Sequence, residues 1–107
     1  MVRDEDPLEH VEVVDDDQVN EGLVRRMRVQ ARQLTQDDVG KYIGCHDHKL
    51  GVNYQAKILD IRHFEDGNAP GTSLVCWHPP IRDREGRKER MHVPFETEFE
   101  LIELIAI

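Results

Sequence analysis

The sequence predicts an all-β protein, a small barrel of five to six strands with one short helical turn. Three observations lead there. From residue 24 onward apolar side chains recur at every second position, the spacing that gathers them on one face of a strand. The alternating stretches are short and are separated by clusters of Gly, Pro, Asn and Asp. A sheet of many short strands also gains from closing on itself, because closure removes the edges that template aggregation.

The first element is "VRRMRVQARQ", residues 24 to 33, with Met27, Val29 and Ala31 on one side and Arg26, Arg28, Gln30 and Arg32 on the other. A helix competes here, since Leu23, Met27, Ala31 and Leu34 also recur at helical spacing. The next stretch favours the strand. In "LTQDDVGKY" Thr35 is an N-cap, Asp38 the capping-box carboxylate three residues on, Leu34 and Val39 a hydrophobic staple, and Gly40 the stop. That is one helical turn between two extended segments.

Residues 41 to 46 alternate again, with Ile43 and Cys45 on one side, and residues 47 to 51 make a turn. Residues 52 to 64 form a long strand whose apolar phase changes: Val52, Tyr54, Ala56 and Ile58 are in register, then Leu59 and Ile61 take the opposite parity, which predicts a bulge near Ile58. "EDGNAPG" is an exposed loop. "TSLVCWH" is a central strand stopped by Pro79 and Pro80, which cannot donate to a ladder. A polar hairpin with Gly86 at its tip follows, then Met91, Val93 and Phe95 facing inward opposite Lys88, Arg90 and His92. "PFET" is a tight turn, and Phe99 with Leu101 anchors the last strand. The expected core is Met27, Val29, Ile43, Ile58, Leu74, Met91, Val93 and Phe99.

Charge divides the chain. Residues 1 to 22 hold nine acids and one base, a net −8, whereas the remainder is balanced at 13 of each sign. Too few apolar groups offset the ordering entropy of such a segment, so residues 1–22 read as a flexible acidic arm before a barrel domain at 23–107. Val11, Val13 and Val14 would still let residues 10 to 14 form a short edge strand against a partner. No apolar run approaches the ~18 residues of a membrane span and no signal peptide opens the chain, so a cytoplasmic protein with reduced cysteines and no membrane partner is expected.

The order of strand, "LTQDDVGKYIG", long bent strand, two further strands, tight turn and last strand resembles the small SH3-like barrel proteins of bacteria and bacteriophages. In many of these a phrase like "LTxxDVGK" opens the barrel. The resemblance covers residues 24 to 104 and implies an architecture, not an activity.

"GCHDHKLG" and "LVCWHPP" raise a metal site from Cys45, His48, Cys76 and His78. The spacing is C-x2-H and C-x-H rather than the paired knuckles of structural zinc sites. Both cysteines share their face with core residues, so the expectation is no metal and no cofactor. A cysteine nucleophile would need a base on its own face and an orienting third group, and neither is evident, so no enzyme activity is expected. Binding is the favoured class. Arg26, Arg28 and Arg32 line the outer face of the first strand, and Arg84, Arg87, Lys88, Arg90 and His92 surround the hairpin. The reading is a non-enzymatic protein-interaction module of phage or accessory type, with no small-molecule substrate. A nucleic-acid-binding barrel restrained by its acidic arm is second, and a zinc-supported domain third.

Overall fold

The computed structural model describes the backbone of residues 4–5, 9–15, 18–67 and 69–106, and the side chains of residues 24–67 and 69–105. The protein is all-β. Eight strands form one antiparallel sheet: β1 (Asp4–Glu5), β2 (Glu9–Asp15), β3 (Gln18–Gln30), β4 (Tyr42–Asp47), β5 (Val52–Phe64), β6 (Gly71–His78), β7 (Arg87–Val93) and β8 (Glu98–Ala106). Two 3-10 turns, Ala31–Gln33 and Gln36–Asp38, are the only helical pieces among the described residues, and no helix there is long and apolar enough to cross a membrane.

The sheet order is β1-β3-β8-β4-β5-β6-β7, with β2 also pairing β3. Among the described residues no ladder joins β7 to the β1–β3 side, so the sheet is curled and open. The turn at Ala31–Gln33 lies against β6, and Ala31 N–H and Arg32 N–H donate to the carbonyls of Thr97 and Phe95 at 2.7 and 3.1 Å. The concave face between is filled by Met27, Val29, Leu34, Ile43, Ala56, Ile58, Ile61, Leu74, Cys76 and Leu101, with Cys45, Tyr54, Met91 and Phe99 packed at its margin. Strand alternation accounts for most of this set. Ile61 joins it because the β5–β6 register shifts between Ile58 and Asp60, a bulge that returns the apolar phase to the inside.

The capping box forms as the sequence implies: Thr35 N–H donates to Asp38 Oδ2 at 2.9 Å, and Lys41 Nζ donates to Asp38 Oδ1 at 2.9 Å. Gly40 closes the turn at φ +96°, a conformation that needs glycine. The staple does not form as expected. Leu34 is buried in the main core while Val39 is 38% exposed, because the turn is too short to bring Val39 back over Leu34.

The bounds of the first strand are corrected. The strand expected at residues 24 to 33 begins at Gln18 and gives way to a 3-10 turn at Ala31. Residues 9–15 run as a strand registered on residues 18–24 of the same chain, from Asp15 opposite Gln18 to Glu9 opposite Val24. The ladder satisfies backbone groups that charge counting ignores, and the valines suit an extended backbone. The β2–β3 hairpin curls so that β2 approaches β5 across the sheet's convex side. On that side Val24, Tyr42 and Ile102 form a second, smaller buried cluster with Leu104 beside it.

Candidate functional site

One end of the concave face is polar. Alternation carries the inward side of β4 from Ile43 through Cys45 to Asp47, that of β5 from Ala56 back to Tyr54, and that of β7 from Met91 through Glu89 to Arg87. His78 stands opposite Arg87 at the last rung of the β6–β7 ladder. The turn that follows, with Ile81 and Arg84 bridged by reciprocal backbone hydrogen bonds at 3.0 and 2.9 Å, swings Arg84 over the same end. Arg82, at its corner, has φ 52°, a left-handed conformation that costs a non-glycine residue about 1 kcal/mol. The turn therefore sits at 82–83 and not at Gly86. Gly86 is held beneath Trp77, where a Cβ would lie 2.5 Å from the indole Cη2.

Tyr54 is the centre of the cluster. Its hydroxyl is 2.8 Å from His78 Nδ1, and the two rings meet edge to face at 5.8 Å. His78 Nε2 faces Glu89 Oε1 at 3.5 Å. The Arg84 guanidinium carbon lies 5.9 Å from the Tyr54 ring centroid. Arg84 Nη1 donates to Asp47 Oδ2, and Asp47 Oδ1 accepts the Leu50 N–H at 2.9 Å. The Leu50 N–H first, and then the Arg84 guanidinium, hold the Asp47 carboxyl below its ordinary range. Burial, reinforced by the Arg87 charge, lowers His78, which is therefore a neutral imidazole at pH 7.

Arg84 Nε, Arg84 Nη2 and Arg87 Nη1 are out of solvent with no hydrogen-bond partner. Each unsatisfied buried donor costs about 1–3 kcal/mol, and native structures rarely leave three together. Trp77 Nε1 is also unpartnered, but Trp77 alternates with Cys76 and His78 and so lies on the other face of β6.

The thiols are poor nucleophiles here. Burial raises Cys45, and it pushes Cys76 up to about 12 with a further contribution from the neighbouring Cys45 charge. Burial likewise raises Tyr54. The Tyr54–His78–Glu89 chain can orient hydrogen bonds at this end of the face. Of the four metal candidates, Cys45, Cys76 and His78 lie on the concave side, whereas His48 is exposed in a turn against the His46 ring at 4.8 Å. Among the described residues no three His, Cys, Asp or Glu side chains converge on one point.

The basic residues picked out in the sequence fall into three places. Arg26, Arg28 and Arg32 lie along one side and meet Glu100, Glu98 and Glu96 at 2.5, 3.8 and 2.9 Å, while Arg32 also stands over the Phe95 ring. Their positive charge is matched residue by residue by β8 and the turn before it. Lys88, Arg90 and His92 are exposed on β7, and His92 Nε2 is 2.7 Å from the Ala69 carbonyl oxygen. Arg84 and Arg87 alone reach the polar end. Period-two alternation from Met91 to Arg87 could have assigned Arg87 and Glu89 inward, but Arg84 lies in a turn that alternation does not reach. Tyr54 and Asp47 carried no sequence signal beyond their parity.

Comparison with protein-family models, with curated proteins and with solved structures finds no match to this chain.

Proposed function

We infer that the protein is a non-enzymatic protein-interaction module on an SH3-like barrel, and that it holds its partner at the polar end of the concave face. The observation that carries this reading is the set of three buried guanidinium donors on Arg84 and Arg87 without an acceptor. A fold gains nothing from that arrangement by itself, whereas a partner that supplies oxygens relieves it. The protonated thiols at the same place fit a site that binds rather than reacts.

Phosphate recognition by the Arg26, Arg28 and Arg32 face is less well supported, because glutamates already stand against each of them. The test is affinity capture from cells that encode the protein, run side by side with the wild-type chain and an Arg84→Met/Arg87→Met chain whose folding is checked by its melting curve. A protein retained by the first and lost from the second supports the reading. Equal retention by both, or salt-sensitive retention of nucleic acid alone, refutes it.

A further inference from the structure

Resting on that reading, we propose that the groove between the 47–51 and 81–84 turns is a carboxylate site, in which Arg84 receives a carboxylate of a partner peptide flanked by an apolar residue. The groove has a volume of about 470 Å³ and is lined by Asp47, Lys49, Leu50, Arg82, Asp83 and Arg84.

The geometry of one guanidinium selects the ligand. Arg84 uses Nη1 on Asp47, which leaves Nε and Nη2, the two donors of its other edge, buried and unpartnered. Those two N–H bonds run parallel and match the two oxygens of a carboxylate in a fork-to-fork pair. The Asp47 contact fixes the far side of the group, and Arg84, whose side chain is 33% exposed overall, is one of the residues that line the groove; ligand binding turns its free edge to the groove.

Charge separates a carboxylate from a phosphate dianion. Three cations, Lys49, Arg82 and Arg84, face two carboxylates, Asp47 and Asp83, so the groove carries one net positive charge. A monoanion neutralises it, whereas a dianion leaves an excess negative charge beside Asp47 and Asp83. Leu50 offers a partly buried apolar side chain for the residue next to the carboxylate. The left-handed backbone at Arg82 is an independent sign that the turn is held in a shape the chain alone does not favour.

The experiment follows the side-chain Nε–H resonance of Arg84 by nitrogen-15 NMR in the full chain at constant ionic strength. Four probes are titrated: acetyl-Ala-Val-Leu with a free terminal carboxylate, the same peptide amidated, acetyl-Leu-Glu-Leu-amide, and inorganic phosphate. A saturable downfield shift is expected with the free-acid peptide, the glutamate peptide or both, and none with the amidated control. The acidic peptide that acts tells a chain terminus from an acidic side chain. Arg84→Lys, which keeps the charge but loses the fork, should weaken binding about tenfold while the backbone spectrum stays dispersed.

The proposal is overturned if neither acidic peptide moves the signal, if Arg84→Lys binds as well as wild type, or if phosphate binds more tightly than both peptides. A partner captured through Arg84 and Arg87 without a carboxylate-induced shift overturns the ligand and leaves the module standing. A carboxylate shift with no captured partner does the reverse.

Discussion

Replacing Ile102 by alanine tests whether the N-terminal hairpin is part of the folded unit. Ile102 is fully buried, yet it points away from the main core, into the cluster with Val24 and Tyr42 on the convex side. If β2 covers that side, as its approach to β5 implies, the substitution removes three buried carbons. At about 0.8 kcal/mol each they account for roughly 2.4 kcal/mol. A cavity contribution adds to this, but the cluster is small and can partly collapse, so a loss of about 2–3 kcal/mol is expected, near the low end for isoleucine truncations. With a urea m value of about 1.5 kcal/mol/M, the midpoint falls by roughly 1.3–2 M. Ile105, three residues along the same strand and 42% exposed, is the internal control, and its alanine variant should lie within about 0.5 kcal/mol of wild type. Removing residues 1–17 should abolish most of the Ile102 effect, since the two changes then act on one contact. If Ile102→Ala costs less than about 1 kcal/mol in the full chain, the hairpin does not cover the convex side and the second cluster is not a core.

The folded-state pKa of His78 lies below the ordinary 6.5, so the unfolded chain takes up the proton first and stability should decline as pH falls from 6.5 toward the lowered value; urea midpoints across that range should show the slope, and His78→Gln should flatten it. Asp38→Ala leaves the Thr35 N–H without its cap and Lys41 without a charge-assisted bond, and should cost about 2–4 kcal/mol by denaturant melts, with Asp38→Asn in between. Gly71→Ala would drive a Cβ into the Val93 carbonyl oxygen, so faster amide exchange along β7 than along β4 is expected. In native protein at pH 8 an aromatic disulfide reagent should modify Cys76 at a rate limited by unfolding, and a rate equal to that of a free thiol would contradict its burial.

Periodicity made most of the sheet legible. Met27, Val29, Ile43, Ile58 and Leu74 are buried as their parity implies, while Met91, Val93 and Phe99 are only partly covered because β7 and the end of β8 lie toward the margins. The bulge after Ile58 could be read from a parity change, and the Thr35–Asp38 turn from its capping residues, since both are local rules of backbone geometry. Charge counting carries no information on pairing: residues 9–15 lie in register with residues 18–24, and Glu100, Glu98 and Glu96, more than sixty residues away, stand opposite Arg26, Arg28 and Arg32.

By itself the sequence determined which residues run extended, which side of each strand is apolar and where the chain must turn, because these depend on neighbours within a few positions. Tertiary structure alone decided which strands lie side by side, and so which charges are already answered and which are not. Asp47 and Arg84 are 37 residues apart, and Tyr54 and His78 are 24 apart, and only the curl of the sheet brings the four together. The edge of Arg84 left without an acceptor is a property of that meeting, and no local pattern in the chain encodes it.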